Sequence, residues 1–257
     1  AEWHAQLGVN HVCPHLTLYS MKGCRKRDYP PTISPQQPWW KYNYLIEDRM
    51  ARVTHAVTAG VYAPEMLILH PLESAMSEFV KGTSDRFFKP FNDILNSVLS
   101  AHRDFDFGDE QIISDIGRVE NASLIIGKMN YKVVVIPFMS TIRETTIKLL
   151  LEFSKQGGKI LLVQEIPELV DAAKSELTAK LASISKVVMA EKLVDELARL
   201  APPKVVVTGA NASNVYTHRR VTENGITVTA TNLSRKIKAD ISLRVPEFGK
   251  QAIFWEV

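Results

Sequence analysis

Three runs of unbroken aliphatic residues predict an α/β fold with an open parallel sheet: Met66-Leu67-Ile68-Leu69, Val133-Val134-Val135-Ile136 and Ile160-Leu161-Leu162-Val163. Four apolar residues in a row leave no polar face, which suits strands covered by helices on both sides. Helical spacing supplies the cover, over Arg86 to His102, Arg143 to Lys155, Glu168 to Ala182 and Glu191 to Leu200. Strand alternating with helix is the pattern of a layered α/β domain.

Taken in order, Trp3 to Gly8 reads as a short helix closed by its glycine. Val9 to Tyr19 carries β-branched and aromatic residues, as a strand does. Pro30, Pro31, Pro35 and Pro38 forbid regular structure over Ser20 to Pro38. Trp40, Tyr44 and Ile46, then Met50, Val53 and Val57, give Trp39 to Thr58 the spacing of a helix that Gly60 stops. Inside the α/β region, Leu124-Ile125-Ile126 and Val187-Val188-Met189 are weaker strands, and Gly157-Gly158-Lys159 turns a helix end into the next strand. Ser140 and Thr141, with Glu144 behind them, match a helix capping box. Beyond residue 203 the period changes. Lys204 to Val207, Val215 to Val221, Ile226 to Thr231, Ala239 to Val245 and Ala252 to Trp255 read as short strands of a small antiparallel sheet. Glu223-Asn224-Gly225 is its strongest hairpin signal.

The chain has 257 residues, 46% hydrophobic and 23% charged, a composition that excludes disordered and fibrous classes. Two cysteines are too few for a disulfide framework or a four-cysteine zinc site. No apolar run approaches the roughly 20 residues that span a bilayer. The net charge of +3 is scattered apart from Arg25-Lys26-Arg27 and Arg235-Lys236-Ile237-Lys238, with none of the basic striping of a nucleic-acid binder. Neither nucleic acid nor membrane is an expected partner. The first residue is Ala1 rather than Met and no signal-peptide pattern follows, so the chain reads as a piece of something longer.

Chemistry-bearing patterns are few. His11, Cys13 and His15 alternate on the Val9 to Tyr19 strand and share a face. Same-face neighbours about 7 Å apart do not close easily round one ion, so no metal is expected. His15 precedes a long aromatic-rich loop and could donate to a hydroxyl. Trp39-Trp40, with Tyr42 and Tyr44, is an aromatic cluster whose rings either stack on sugars or anchor the loop to a core. No nucleophile elbow or phosphate loop occurs, and no cofactor is expected. Asp104, Asp106, Asp109 and Glu110 read as a solvated turn and helix start, not as the separated pair a glycosidase needs.

The order of these pieces resembles a stretch of large bacterial glycoside hydrolases, the α-L-rhamnosidase-like and family-2-related enzymes. It runs from Gly8-Val9-Asn10 and His15 through Tyr29-Pro30-Pro31 and Gln37-Pro38-Trp39-Trp40. A helix with Arg49 and Arg52 follows, then Leu69-His70-Pro71-Leu72-Glu73-Ser74-Ala75. Next, Asn130-Tyr131-Lys132 before a strand ending in Pro137, and Phe153 to Lys159 before another, are similar to the β-galactosidase trimerisation domain. That domain is itself similar to class I glutamine amidotransferases but lacks their cysteine.

The resemblance implies three parts. Residues 1–60 would be the last strand and helix of a (β/α)8 barrel, 61–201 a flavodoxin-like or amidotransferase-like α/β domain, and 202–257 a small antiparallel β domain. Barrel enzymes work at the C-terminal ends of their strands, so His15, Tyr19, Trp39 and Trp40 would line a sugar site. The catalytic acid and base would lie on earlier strands, outside this chain. The expectation is a fragment of a glycosidase, inactive alone, that meets carbohydrate within its parent. The alternative is a noncatalytic oligomerisation or interaction module.

Overall fold

The computed structural model describes residues 2–13, 15, 17–20, 22–23, 33–247 and 252–254. Cys24, Arg25-Lys26-Arg27, Tyr29-Pro30-Pro31 and Trp255 lie outside the described residues. Helix α1 (Glu2–Gln6) is followed by α2 (Asn43–Thr58), which is entered through a 3-10 turn at Trp40–Tyr42. Next come β1 (Val61–Tyr62), β2 (Met66–Leu69), α3 (Leu72–Val80), α4 (Ser84–Ser100), β3 (Asp106–Gly108) and α5 (Glu110–Ile116). A meander of β4 (Gly117–Glu120), β5 (Ser123–Ile126) and β6 (Met129–Tyr131) leads to β7 (Val133–Ile136), β8 (Thr141–Ile142) and α6 (Glu144–Lys155). The α/β part closes with β9 (Lys159–Val163), β10 (Leu169–Val170), α7 (Leu177–Ile184), β11 (Lys186–Val188) and α8 (Leu193–Leu200). The last strands are β12 (Val206–Ala210), β13 (Val215–Thr222), β14 (Gly225–Asn232) and β15 (Asp240–Arg244).

The three aliphatic runs are β2, β7 and β9, adjacent in a parallel sheet ordered β11-β9-β7-β2-β3. Leu67 and Leu69 face one helical layer with Ile113, Ile147, Leu150 and Phe153, while Met66 and Ile68 face the other with Ile94, Val98, Leu193 and Leu197. Successive side chains on a strand point to opposite faces, so two covering layers require the unbroken apolar run. Numbered along the chain, the five parallel strands lie in the order 2-1-3-4-5. Between α6 and β9, a Cβ on Gly158 would lie 2.2 Å from the buried Phe153 ring, so only glycine lets that ring close over the turn.

Several sequence expectations need correction. Glu168 to Ala182 is not one helix: Leu169–Val170 pairs in parallel with Thr141–Ile142, and Asp171 and Ala172 have φ of 47° and 61°, which no helix can run through. That pairing also removes the capping box, because Thr141 is extended and Arg143 becomes the N-cap of α6. Leu124-Ile125-Ile126 is a strand, but of the separate antiparallel sheet β4-β5-β6. The described residues of Val9 to Tyr19 form no strand, and neither do 252–254. β-branched composition becomes a strand only where a neighbour takes up its backbone N–H and C=O groups, and no described strand pairs with either segment.

The C-terminal strands form two sheets, a three-stranded β1-β13-β14 and a two-stranded β12-β15, both antiparallel. The hairpin falls where the sequence places it, with Glu223-Asn224 as a two-residue loop between Thr222 and Gly225. Its sheet is also the platform for the N-terminal helices. Ala5, Val53 and Val57 form a small core between α1 and α2, and buried Gln6 bonds both Thr229 and Thr231 of β14.

Candidate functional site

The sequence points to the rim around the start of α2. Ser34 is buried and its backbone carbonyl accepts from the Gln37 N–H, forming a turn. Trp40 N–H then bonds Gln37 O at 3.1 Å, Tyr42 N–H bonds Trp39 O at 2.8 Å and Asn43 N–H bonds Trp40 O, so backbone hydrogen bonding runs from the tryptophan pair into the helix. Trp39 is 41% exposed, Trp40 36% and Tyr19 fully exposed; His15 is exposed as well. The segment holding His15 and Tyr19 is tied to the one leading into the tryptophans by Thr17 Oγ1, which donates to Ile33 O at 2.8 Å. Half of α2 buries the face that its spacing predicts, through Val53, Ala56 and Val57. The other half leaves Tyr44, Leu45 and Ile46 more than half exposed.

A second place to look is the C-terminal edge of the parallel sheet, between the ends of β2 and β7. Open α/β sheets bind ligands where the strand order reverses, and here that crevice is filled. Met139 of the turn after β7 is buried in the core. Ser74 Oγ accepts from the Ser140 and Thr141 N–H groups at 3.0 and 3.2 Å and faces Thr141 O at 3.3 Å. A hydroxyl has one donor and two acceptor positions, so Ser74 has none left for chemistry. Arg143 grips Glu73 Oε1 through Nε (2.8 Å) and Nη2 (2.6 Å), and its backbone N–H donates to Glu110 Oε1 at 2.9 Å. Glu110 is almost fully buried, and burial pushes its carboxyl upward despite the Arg143 N–H.

Within Asp104 to Glu110 the helix start is as the sequence reads it, Asp109 capping α5 by accepting from the Ile112 N–H at 2.9 Å, but Asp104, Asp106 and Glu110 are not a solvated turn. Asp106 lies in β3, where it must extend to pair with Leu67 of β2. Burial raises its carboxyl, which accepts from Tyr131 Oη at 2.8 Å. Asp104 is pushed up to about 7 by burial, against the pull of Arg219. Across the same junction Tyr62 Oη bonds the backbone of Phe105, and its ring stacks on His218 at 4.7 Å and 6°. Buried His218 is lowered to about 4 by desolvation and the neighbouring Arg220. Arg219 holds Glu247 at 2.5 Å, and Glu247 also takes Lys204. The cleft beside this cluster, lined by Glu65, His102, Arg103, Asp104 and Lys204 among others, has room for a few waters, not a sugar ring. Among the described residues no group of three or more His, Cys, Asp or Glu could hold a metal ion.

No protein-family model matches the sequence, and no curated protein sequence does. Solved structures do. A rhamnosidase from Novosphingobium sp. PP1Y superimposes with a TM-score of 0.65 at 14% identity, over 94% of this chain and 24% of that one. An apo exo-carrageenase GH42 from Bacteroides ovatus gives 0.51 at 13% identity, over 79% of this chain and 26% of that one. The arrangement of helices and sheets described above thus occurs within larger carbohydrate-active enzymes. At these identities the likeness is one of fold, and the chain spans about a quarter of the length of the proteins it matches.

Sequence reasoning missed the junction cluster. Its members come from β1, β3, β13 and Glu247, which no local pattern links. One signal was available: Asp106 lies between Phe105 and Phe107, and a lone carboxylate between aromatic residues is a poor solvated turn.

Proposed function

We propose that the chain is the C-terminal portion of a larger glycoside hydrolase, contributing an aromatic rim to a sugar site together with noncatalytic α/β and β parts. The observation that carries this reading is the match to a rhamnosidase over 94% of the chain. The strand order 2-1-3-4-5 supports the flavodoxin-like description of residues 61–201. The saturated Ser74 and buried Met139 support a noncatalytic role for that part. The uncovered faces of Tyr44, Leu45 and Ile46, beside Trp39 and Trp40, are the surface on which the barrel would sit.

The test has two arms. The 257-residue chain should not turn over p-nitrophenyl α-L-rhamnoside, and hydrolysis at enzyme-like rates would overturn the division of labour. The coding sequence upstream of Ala1 should encode a (β/α)8 barrel with two carboxylates at strand ends; a start codon immediately before Ala1 would sink the proposal.

One observation favours the alternative of an oligomerisation module. Leu72, Met76, Phe79 and Val80 recur at helical spacing on α3 and are exposed, Phe79 by 72% and Val80 by 85%. Light scattering decides it: a strict monomer at high concentration removes that reading.

A further inference from the structure

Helix α2 connects two distant places. The 3-10 turn that leads into it carries the tryptophan rim, and the backbone just past its last residue is held by the C-terminal sheet. Arg220 of β13 donates from Nε to Ala59 O at 2.8 Å and from Nη2 to Gly60 O at 2.7 Å, with Thr58 O at 3.5 Å. A helix leaves its final carbonyls without partners, and a cation there also complements the helix dipole. The second hold runs through α1. Gln6 Nε2 donates to Thr231 Oγ1 at 2.9 Å, Thr229 Oγ1 donates to Gln6 Oε1 at 3.1 Å, and Glu2 pairs with Arg49 of α2.

The buried residues of α2, Val53, Ala56 and Val57, all lie in its last six residues. Among the described residues the buried anchor of the helix lies at this one end, so a change there can act on the other end as on a lever. At a rise of about 1.5 Å per residue its sixteen residues span about 24 Å. A tilt of about 5° at the fixed end would move the other end by about 2 Å over that length. Misplacing a binding group by about 1 Å is enough to cost on the order of 100-fold in an active site.

We propose that Arg220 and Gln6 are positioning residues for the aromatic rim, the C-terminal sheet setting through α2 where Trp39 and Trp40 stand. This rests on the reading of those tryptophans as part of a sugar site.

The experiment uses the 257-residue chain with Trp3→Phe and Trp255→Phe, which leaves Trp39 and Trp40 as the sole indoles. Amide hydrogen exchange and acrylamide quenching are compared in Arg220→Ala, Arg220→Lys and Thr231→Val. The expected result is a changed acrylamide quenching of the two indoles in Arg220→Ala, partly restored in Arg220→Lys, while the amides of α2 stay protected because the helix tilts without opening. Indole quenching and emission unchanged in Arg220→Ala, even where exchange rises at residues 55–60, overturns the proposal. If Arg220→Ala does not fold, Thr231→Val, which replaces the hydroxyl with a methyl of similar size, is read in the same way. Titration with methyl α-L-rhamnoside separates the two ideas. No change in indole emission on adding the sugar to the starting chain rejects the sugar rim itself, while acrylamide quenching still decides the mechanical link. Binding that Arg220→Ala weakens at least threefold supports both, and binding that it leaves unchanged rejects positioning.

Discussion

The side-chain amide of Gln6 donates to the hydroxyl of Thr231 at 2.9 Å across 225 residues of sequence, and its carbonyl accepts from Thr229 on the same strand. Both ends of a buried amide are satisfied by threonines two positions apart, which share a face of β14. Replacing Gln6 with Ala leaves those hydroxyls without this partner and should cost about 1–2 kcal/mol. Urea unfolding at constant m-value is the measurement. A midpoint equal to that of the unsubstituted chain would show that the bridge contributes nothing.

Gly60 has φ of +68°, and a Cβ there would lie 2.1 Å from Val221 O. Gly82 has a similar φ of +72° with open space around it. Gly82→Ala should therefore lose only the backbone cost of about 1 kcal/mol. Gly60→Ala should lose clearly more, since β13 must also move away from the end of α2. Thermal unfolding of the pair compares strain alone with strain plus collision, and equal losses would contradict this reading.

The junction predicts an unusual pH profile. Asp104 is raised from 3.8 to about 7, so its contribution to stability falls as pH rises between those values. His218 is lowered from 6.5 to about 4, so its contribution is complete above 6.5 and is lost as pH falls towards 4. Between about 4 and 6.5 the two slopes oppose each other, because folding discharges both groups. Asp104→Asn should therefore gain stability with rising pH across that window, and His218→Gln should lose it. Each slope approaches about 1.4 kcal/mol per pH unit at most. Chemical denaturation at four pH values checks the signs; slopes of the same sign in both variants would refute the assignment.

Ser74→Ala should cost about 1–3 kcal/mol, since the half-buried Ser140 and Thr141 N–H groups lose the shared acceptor that the fully buried Ser74 supplies. Hydrogen exchange should locate the loss at residues 139–142. Unchanged exchange there would mean that another acceptor replaces the hydroxyl.

β2 and β7 were predicted to the residue, because an apolar run buried on both faces states its own environment. The Glu223-Asn224 loop was equally plain, since its turn chemistry is local. The described residues of Val9 to Tyr19 form no strand for the opposite reason: strand formation depends on a partner, and composition cannot supply one. Leu169–Val170 looked helical until Thr141–Ile142 offered it a ladder. Of the residues chosen for the rim, Trp39 and Trp40 stand together at the start of a helix. Tyr19 and His15 are exposed on a segment whose described link to them is Thr17 to Ile33.

The amino-acid sequence by itself determined the α/β class, the central strands, most helices and the C-terminal hairpin, because hydrophobic period and turn chemistry act over a few residues. Only the tertiary structure decided that Asp104 and Asp106 are half-buried, that Ser74 closes the crevice, and that the C-terminal sheet holds the helix that follows Trp39 and Trp40. Each of these depends on groups many positions apart meeting at a few ångströms. Burial and charge at that range belong to the fold, and no local pattern contains them.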